Sequence, residues 1–208
     1  MTESERKQII ALIQREVIPA IGCTEPIAVA LCVAKATETL GAKPEKIKVL
    51  LSANILKNAM GVGIPGTGMI GLPIAVALGA LIGKSDYQLE VLKDSTPEAV
   101  EEGKKLIDEK RICISLKEDI TEKLYIEVTC EAGGEQATAI ISGGHTTFVY
   151  VAKGDEVLLN KQQTSGEEEK EETLELTLRK VYDFALTAPL DEIRFILETA
   201  RLNKKAAE

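Results

Sequence analysis

Residues 111–159, RICISLKEDITEKLYIEVTCEAGGEQATAIISGGHTTFVYVAKGDEVLL, decide the fold class. Aliphatic and β-branched residues recur there in short runs separated by turn residues. That pattern predicts strands over residues 111–116, 124–130, 136–141, 146–151 and 156–159. Gly133-Gly134 and Gly154-Asp155 separate neighbouring runs by the two residues that a hairpin turn needs, so antiparallel pairing is expected. Cys113 and Cys130 fall on these strands and are expected in the core.

Outward from this block, the periodicity changes from two to about three and a half. A first helix is predicted over residues 5–17, with Ile9, Ile10, Leu12, Ile13 and Val17 on its apolar face and Pro19 as its stop. Thr24 is the expected N-cap of a second helix running to Leu40, where Gly41 ends it. Cys32 lies inside that helix's apolar run and is expected in the core. Residues 47–51 read as a strand, 54–71 as a polar Gly-rich loop, and 73–81 as a helix of small residues. Thr96-Pro97 opens a further helix that turns Val100, Leu106 and Ile107 inward. Beyond the strands, the acidic run 162–172 reads as a loop or linker. Helices follow at 174–185 and 190–202, separated by Ala188-Pro189. The fold class is therefore α+β, with N-terminal and C-terminal helices packed with a mainly antiparallel sheet. Its sub-parts are a helix-rich 1–110 carrying the Gly-rich loop, strands over 111–160, an acidic linker over 161–172 and a helical 173–208.

Composition narrows the function classes. The 208 residues carry a formal charge of -8, which repels a polyanion and argues against a nucleic-acid partner. Tryptophan is absent and aromatics make up 3%, so the core must be aliphatic. The longest apolar stretch, 69–83, is too short and too rich in Gly and Pro for a bilayer span, so no membrane partner is expected. Residues 1–15 are charged and unlike a signal peptide, and a cytoplasmic location is expected. The four cysteines form no CxxC pair and no disulfide framework.

Three clusters can carry chemistry. Cys23 precedes a predicted helix N-terminus, where free N–H groups and the helix dipole favour a thiolate able to bind iron; the alternative is a cysteine buried in a tight bend. The segment from Asn54 to Gly68 combines Asn54, Lys57, Asn58 and closely spaced glycines, including Gly66 beside Thr67. It suits a small carboxylate, or else is a Gly-rich turn. Its string Gly61-Val62-Gly63-Ile64-Pro65-Gly66 matches G-x-G-x-x-G. No hydrophobic strand directly precedes it and Pro65 removes an N–H from the loop, so NAD is not expected. The third cluster, Ser142-Gly143-Gly144-His145-Thr146, holds the chain's one histidine, either a base or a structural hydrogen-bonding group.

Taken in order, Gly22-Cys23-Thr24-Glu25-Pro26, Lys57-Asn58 with Pro65-Gly66-Thr67-Gly68, and Gly143-Gly144-His145-Thr146 resemble the L-cysteine desulfidase family, also described as serine dehydratase alpha-chain-like. Gly71-Leu72-Pro73-Ile74-Ala75, Glu90-Val91-Leu92-Lys93-Asp94 and Arg194-Phe195-Ile196-Leu197 add to the likeness, which covers nearly the whole chain. The resemblance implies that residues 1–208 are the N-terminal region of a protein about twice as long. It also implies a [4Fe–4S] cluster with Cys23 as one ligand and two further cysteines from a C-terminal half. On that reading the isolated chain lacks the cluster and is inactive.

The implied reaction converts L-cysteine and water to pyruvate, ammonia and sulfide. His145 or Lys57 would be its base. Thr24, Glu25, Asn54, Asn58, Gly66, Thr67, Gly144 and Thr146 would line the amino-acid substrate. A pyridoxal phosphate mechanism through Lys57 fits the resemblance poorly, and that cofactor is not expected. L-Serine dehydration and a non-catalytic module for anion binding or assembly are the alternatives. Homo-oligomerisation is left open.

Overall fold

The computed structural model describes residues 1–161 and 175–208. The acidic linker expected over 161–172 lies, from residue 162 onward, outside the described residues, as does the start expected at 174 for the next helix. Among the described residues, 1–19 with 175–208 form one unit and 20–161 form another.

The larger unit is built around a six-stranded sheet. Its strands are β1 (Lys46–Leu51), β4 (Ile112–Leu116), β5 (Tyr125–Ala132), β6 (Glu135–Ser142), β7 (Phe148–Lys153) and β8 (Glu156–Asn160), in the order β4-β1-β5-β6-β7-β8. All neighbours pair antiparallel except β1 and β4, which run parallel. The fold is thus α+β with a mainly antiparallel sheet. Between β5 and β6, Gly133 and Gly134 both take positive φ (58° and 82°), the conformation a two-residue turn matched to strand twist requires. Ala132 and Glu135 close that hairpin in register.

Period-two alternation decides which face is covered. Ile47, Val49, Leu51, Ile126, Val128, Cys130, Ala137, Ala139 and Ile141 are buried, while Lys48, Glu131 and Glu135 between them are exposed. On the buried face lies α2 (Thr24–Leu40), apolar all round from Ile27 to Ala34. Such a helix is stable only when enclosed. The sheet covers one side of it and α4 (Leu72–Leu81) another. The two helices meet at Gly79, where a Cβ would stand 2.6 Å from the Ala30 carbonyl oxygen. Outside α4 sits α5 (Pro97–Asp108), capped by Thr96, whose hydroxyl accepts the Ala99 N–H at 3.2 Å. It buries Val100 and Leu106, as its sequence pattern predicts, and holds Ile107 partly buried.

Several expectations require correction. The passage 54–71 is not a loop. It forms α3 (Ala53–Ala59), capped by Ser52, and a small hairpin of β2 (Gly63–Ile64) and β3 (Met69–Ile70). Cys113 is exposed, because it sits on edge strand β4 with the parity of Ser115, opposite to the face that α2 covers. Cys32 and Cys130 are in the core, as expected. The sub-parts 1–110 and 111–160 are not separate bodies, since β1 lies between β4 and β5 in one sheet.

The smaller unit contains α1 (Glu3–Glu16), α6 (Leu178–Thr187), α7 (Leu190–Ile193) and α8 (Ile196–Ala207). A capping box starts α1. The Thr2 hydroxyl accepts the Glu5 N–H at 3.2 Å and the Glu5 carboxylate accepts the Thr2 N–H at 2.9 Å. Arg6 grips Glu192 through two N–H donors, at 2.8 and 3.1 Å, and Lys180 pairs with Glu5 at 3.2 Å. No helix among the described residues is long and apolar enough to cross a membrane.

Candidate functional site

The best-connected polar cluster in the larger unit centres on the start of α2. Gly22 has φ +85°, and a Cβ there would stand 3.0 Å from Pro65 Cγ. Only glycine combines that backbone with that approach. The chain then enters α2 with Cys23 as N-cap, in extended conformation (φ -69°, ψ 134°). Thr24, the expected cap, is the first helical residue instead. Pro26 takes the third helical position, where a missing N–H costs no intrahelical bond.

Glu25 is the hub. Its Oε2 accepts the Cys23 thiol at 3.0 Å and the Thr24 hydroxyl at 3.3 Å, and its Oε1 accepts Asn58 Nδ2 at 3.3 Å. The hydrogen bond from Cys23, helped by Asn58 and by the nearby His145, holds the Glu25 carboxyl below its ordinary range despite partial burial. The same carboxylate acts in the opposite direction on its partner. Accepting the thiol proton, with burial adding to the effect, it raises the Cys23 pKa, and the backbone N–H groups of Glu25 and Thr24 recover only part of that shift. The thiolate expected from the helix N-terminus is therefore held as a thiol. The carboxylate two residues away outweighs the dipole.

The structure joins Cys23, Thr24, Glu25 and Asn58 by hydrogen bonds and brings His145 within electrostatic reach of Glu25. Asn54, Lys57 and Asn58 are exposed along α3, and Asn54 opens onto a cleft bounded by Ser52 and residues 116–123. Lys57 makes no ion pair or hydrogen bond among the described residues, so its ammonium is available to a ligand.

Other expected site residues have structural work. The Thr67 hydroxyl donates to the Ile64 carbonyl at 2.7 Å and accepts the Met69 N–H at 3.0 Å, which locks the β2–β3 turn, and Gly66 (φ +77°) shapes the same turn. Gly144 accepts the Thr147 N–H at 3.1 Å in the turn that carries half-buried His145 and Thr146. The hub role of Glu25 and the Gly22–Pro65 contact were not legible from spacing. One is a through-space convergence, the other a fit between distant segments.

Among the described residues, no group of three or more His, Cys, Asp or Glu side chains is placed to hold a metal ion. Cys32 donates to the Ala139 carbonyl at 3.3 Å inside the core, Cys130 lies beside the Thr37 hydroxyl, and Cys113 is on the opposite sheet face. Cys23, half-buried and reachable, fits a cluster as a single ligand, with a carboxylate beside it able to take the thiol proton.

Fold and cluster together define an α+β protein with a thiol–carboxylate pair at the entrance to its central helix. The chain is similar to the UPF0597 protein of Bacteroides thetaiotaomicron, 81% identical over all 208 residues, which make up 48% of that relative. It is 76% identical to the UPF0597 protein of Phocaeicola vulgatus, over the whole chain and 48% of that relative. With the UPF0597 protein of Parabacteroides distasonis it shares 63% identity over 98% of the chain and 48% of the relative. The chain spans about half the length of these curated relatives. Their names state no activity, substrate or cofactor. No family model matches the chain.

Proposed function

We propose that this chain supplies one iron ligand and part of the substrate site of an iron–sulfur L-cysteine desulfidase. The observation that carries the reading is the convergence of Cys23, Glu25, Asn58 and His145, three of whose four positions lie in motifs far apart in sequence. Cys23 would hold the cluster, together with ligands from outside the described residues. A [4Fe–4S] cluster with one open iron supplies a Lewis acid for the departing sulfur.

The chain's own residues account for the other requirements. Glu25 Oε2 already accepts the Cys23 thiol hydrogen and is the first acceptor when that sulfur becomes a ligand. Lys57, with Asn54 one turn before it on α3, offers a cation and an amide to the substrate carboxylate. His145 is the base for the Cα proton. As that proton leaves, the Cα–Cβ double bond forms and the Cβ–S bond breaks. The resulting aminoacrylate tautomerises to an imine, and water converts it to pyruvate and ammonia.

The test uses a hybrid in which residues 1–208 replace the matched half of the Bacteroides thetaiotaomicron relative. Reconstituted anaerobically with iron and sulfide, and freed of excess sulfide, it should release sulfide and pyruvate in equal amounts from L-cysteine. Cys23→Ala should lose both iron and activity. Pyruvate from L-serine in preference to L-cysteine would replace the reading with an ammonia-lyase. Absence of both activities, or full iron content in Cys23→Ala, would overturn it.

A further inference from the structure

Helix α6 is amphipathic, and its apolar side is the exposed one. Phe184 is buried and Lys180 and Asp183 are half-buried on one side. The stripe at 178, 181, 182, 185 and 186 faces outward, with Leu178 91%, Val181 50%, Tyr182 59% and Leu186 67% exposed. The spacing i, i+3, i+4, i+7, i+8 is that of a helix face built to be covered. Soluble proteins rarely leave a contiguous apolar patch of this kind open unless it receives a partner.

Two observations identify the occupant. The relatives carry a segment about as long as this chain outside the matched region, since 208 matched residues make up 48% of the Bacteroides thetaiotaomicron protein. A second copy of the chain is the weaker candidate, because each copy carries -8 and like charges oppose close approach.

We propose that the outward face of α6 is the docking surface for that other half of the full-length polypeptide, with Leu178, Tyr182 and Leu186 as its anchors. Two exposed leucines flanking an exposed tyrosine suit an apolar helix or strand lying across them, the tyrosine ring giving contact area and its hydroxyl a rim hydrogen bond. The inference stands on exposure and length alone and does not depend on the lyase reading.

Co-expressing the 208-residue chain with the remaining half of the Bacteroides thetaiotaomicron relative tests it without requiring either part to fold alone. A 1:1 complex should co-purify and be seen by native mass spectrometry. Leu178→Asp with Leu186→Asp should lower its recovery at least tenfold while the chain's circular dichroism is unchanged, and the paired Met substitutions should retain it. A measurement independent of variants is amide exchange over residues 178–187, which should slow at least tenfold in the complex. Failure to form a complex, equal recovery with the Asp pair, unchanged exchange, or a homodimer of the chain abolished by the Asp pair would each overturn the proposal. None of these readouts involves iron or sulfide, so a failed desulfidase assay leaves the result intact.

Discussion

The Cys23 thiol donates to Glu25 Oε2 at 3.0 Å, across two residues at the start of one helix. Two opposing electrostatic influences meet there. The first-turn N–H groups favour a thiolate, and the carboxylate disfavours it. The carboxylate wins because it carries a full charge at hydrogen-bond distance, whereas the helix end offers about half a charge spread over several groups.

Removing that charge should reverse the outcome. In Glu25→Gln the Cys23 pKa falls, so the thiolate fraction at pH 8 rises and alkylation of Cys23 accelerates several-fold. The midpoint of its rate–pH curve moves to lower pH. In the wild-type chain Cys113 should label ahead of Cys23. Cys32 and Cys130 should stay unlabelled until unfolding, since burial raises both and pushes Cys130 up to about 11. Peptide mapping of alkylated chain at several pH values checks this. Slower or unaltered labelling of Cys23 in Glu25→Gln would contradict the account.

The contact between α2 and α4 should tolerate no added methyl. Gly79→Ala drives a Cβ to 2.6 Å from the Ala30 carbonyl oxygen, and backbone cannot swing aside. The expected loss is about 1–3 kcal/mol from overpacking. Gly103→Ala meets only the Ile74 Cδ1 end at 3.0 Å, which can rotate, and gains up to about 1 kcal/mol of helix propensity. Urea unfolding midpoints should therefore fall for the first and hold or rise for the second. Equal midpoints would mean that the helices can separate at no cost.

The strands after residue 111 were legible because alternation and the Gly133-Gly134 turn act locally, and the observed β5–β6 hairpin follows both. The parallel pairing of β1 with β4 was not, since about sixty residues of helix and loop separate them and no local signal names the partner. Cys113 could have been placed correctly, because in Ile112-Cys113-Ile114-Ser115 it shares its face with serine. Helix α3 was hidden by its Asn and Gly neighbours, although Ser52 three residues before Ile55 is an ordinary N-cap signal. For the site, the motif residues were visible but their convergence on Glu25 was not. A carboxylate that accepts from three side chains is a property of packing.

Ser52 ties three segments through one buried hydroxyl. It donates to the Lys123 carbonyl at 2.8 Å and accepts the N–H groups of Ile55 at 3.5 Å and Tyr125 at 3.4 Å. Ser52→Ala removes the α3 cap and leaves the Lys123 carbonyl without its donor, at an expected cost of about 1–2 kcal/mol. Chemical denaturation should report that loss, and amides of α3 should exchange faster. A stability change below about 0.5 kcal/mol would show that water replaces the hydroxyl.

Lys57 separates binding from folding most cleanly. It is exposed and makes no ion pair or hydrogen bond among the described residues, so Lys57→Met should leave stability within about 0.5 kcal/mol of wild type. If its ammonium meets the substrate carboxylate, the hybrid protein loses one charge-assisted contact, about 1.5–3 kcal/mol, or roughly ten- to a hundredfold in kcat/KM for L-cysteine. With His145 as the base, that loss appears in KM while kcat holds. With Lys57 as the base, kcat collapses as well. His145→Gln gives the complementary pattern, lowering kcat with KM little changed. Steady-state kinetics on the two variants, each checked by thermal unfolding, distinguish the assignments. Wild-type kcat/KM in Lys57→Met would remove the α3 cation from the site and leave the Asn58–Glu25 pair as the only contribution of that helix.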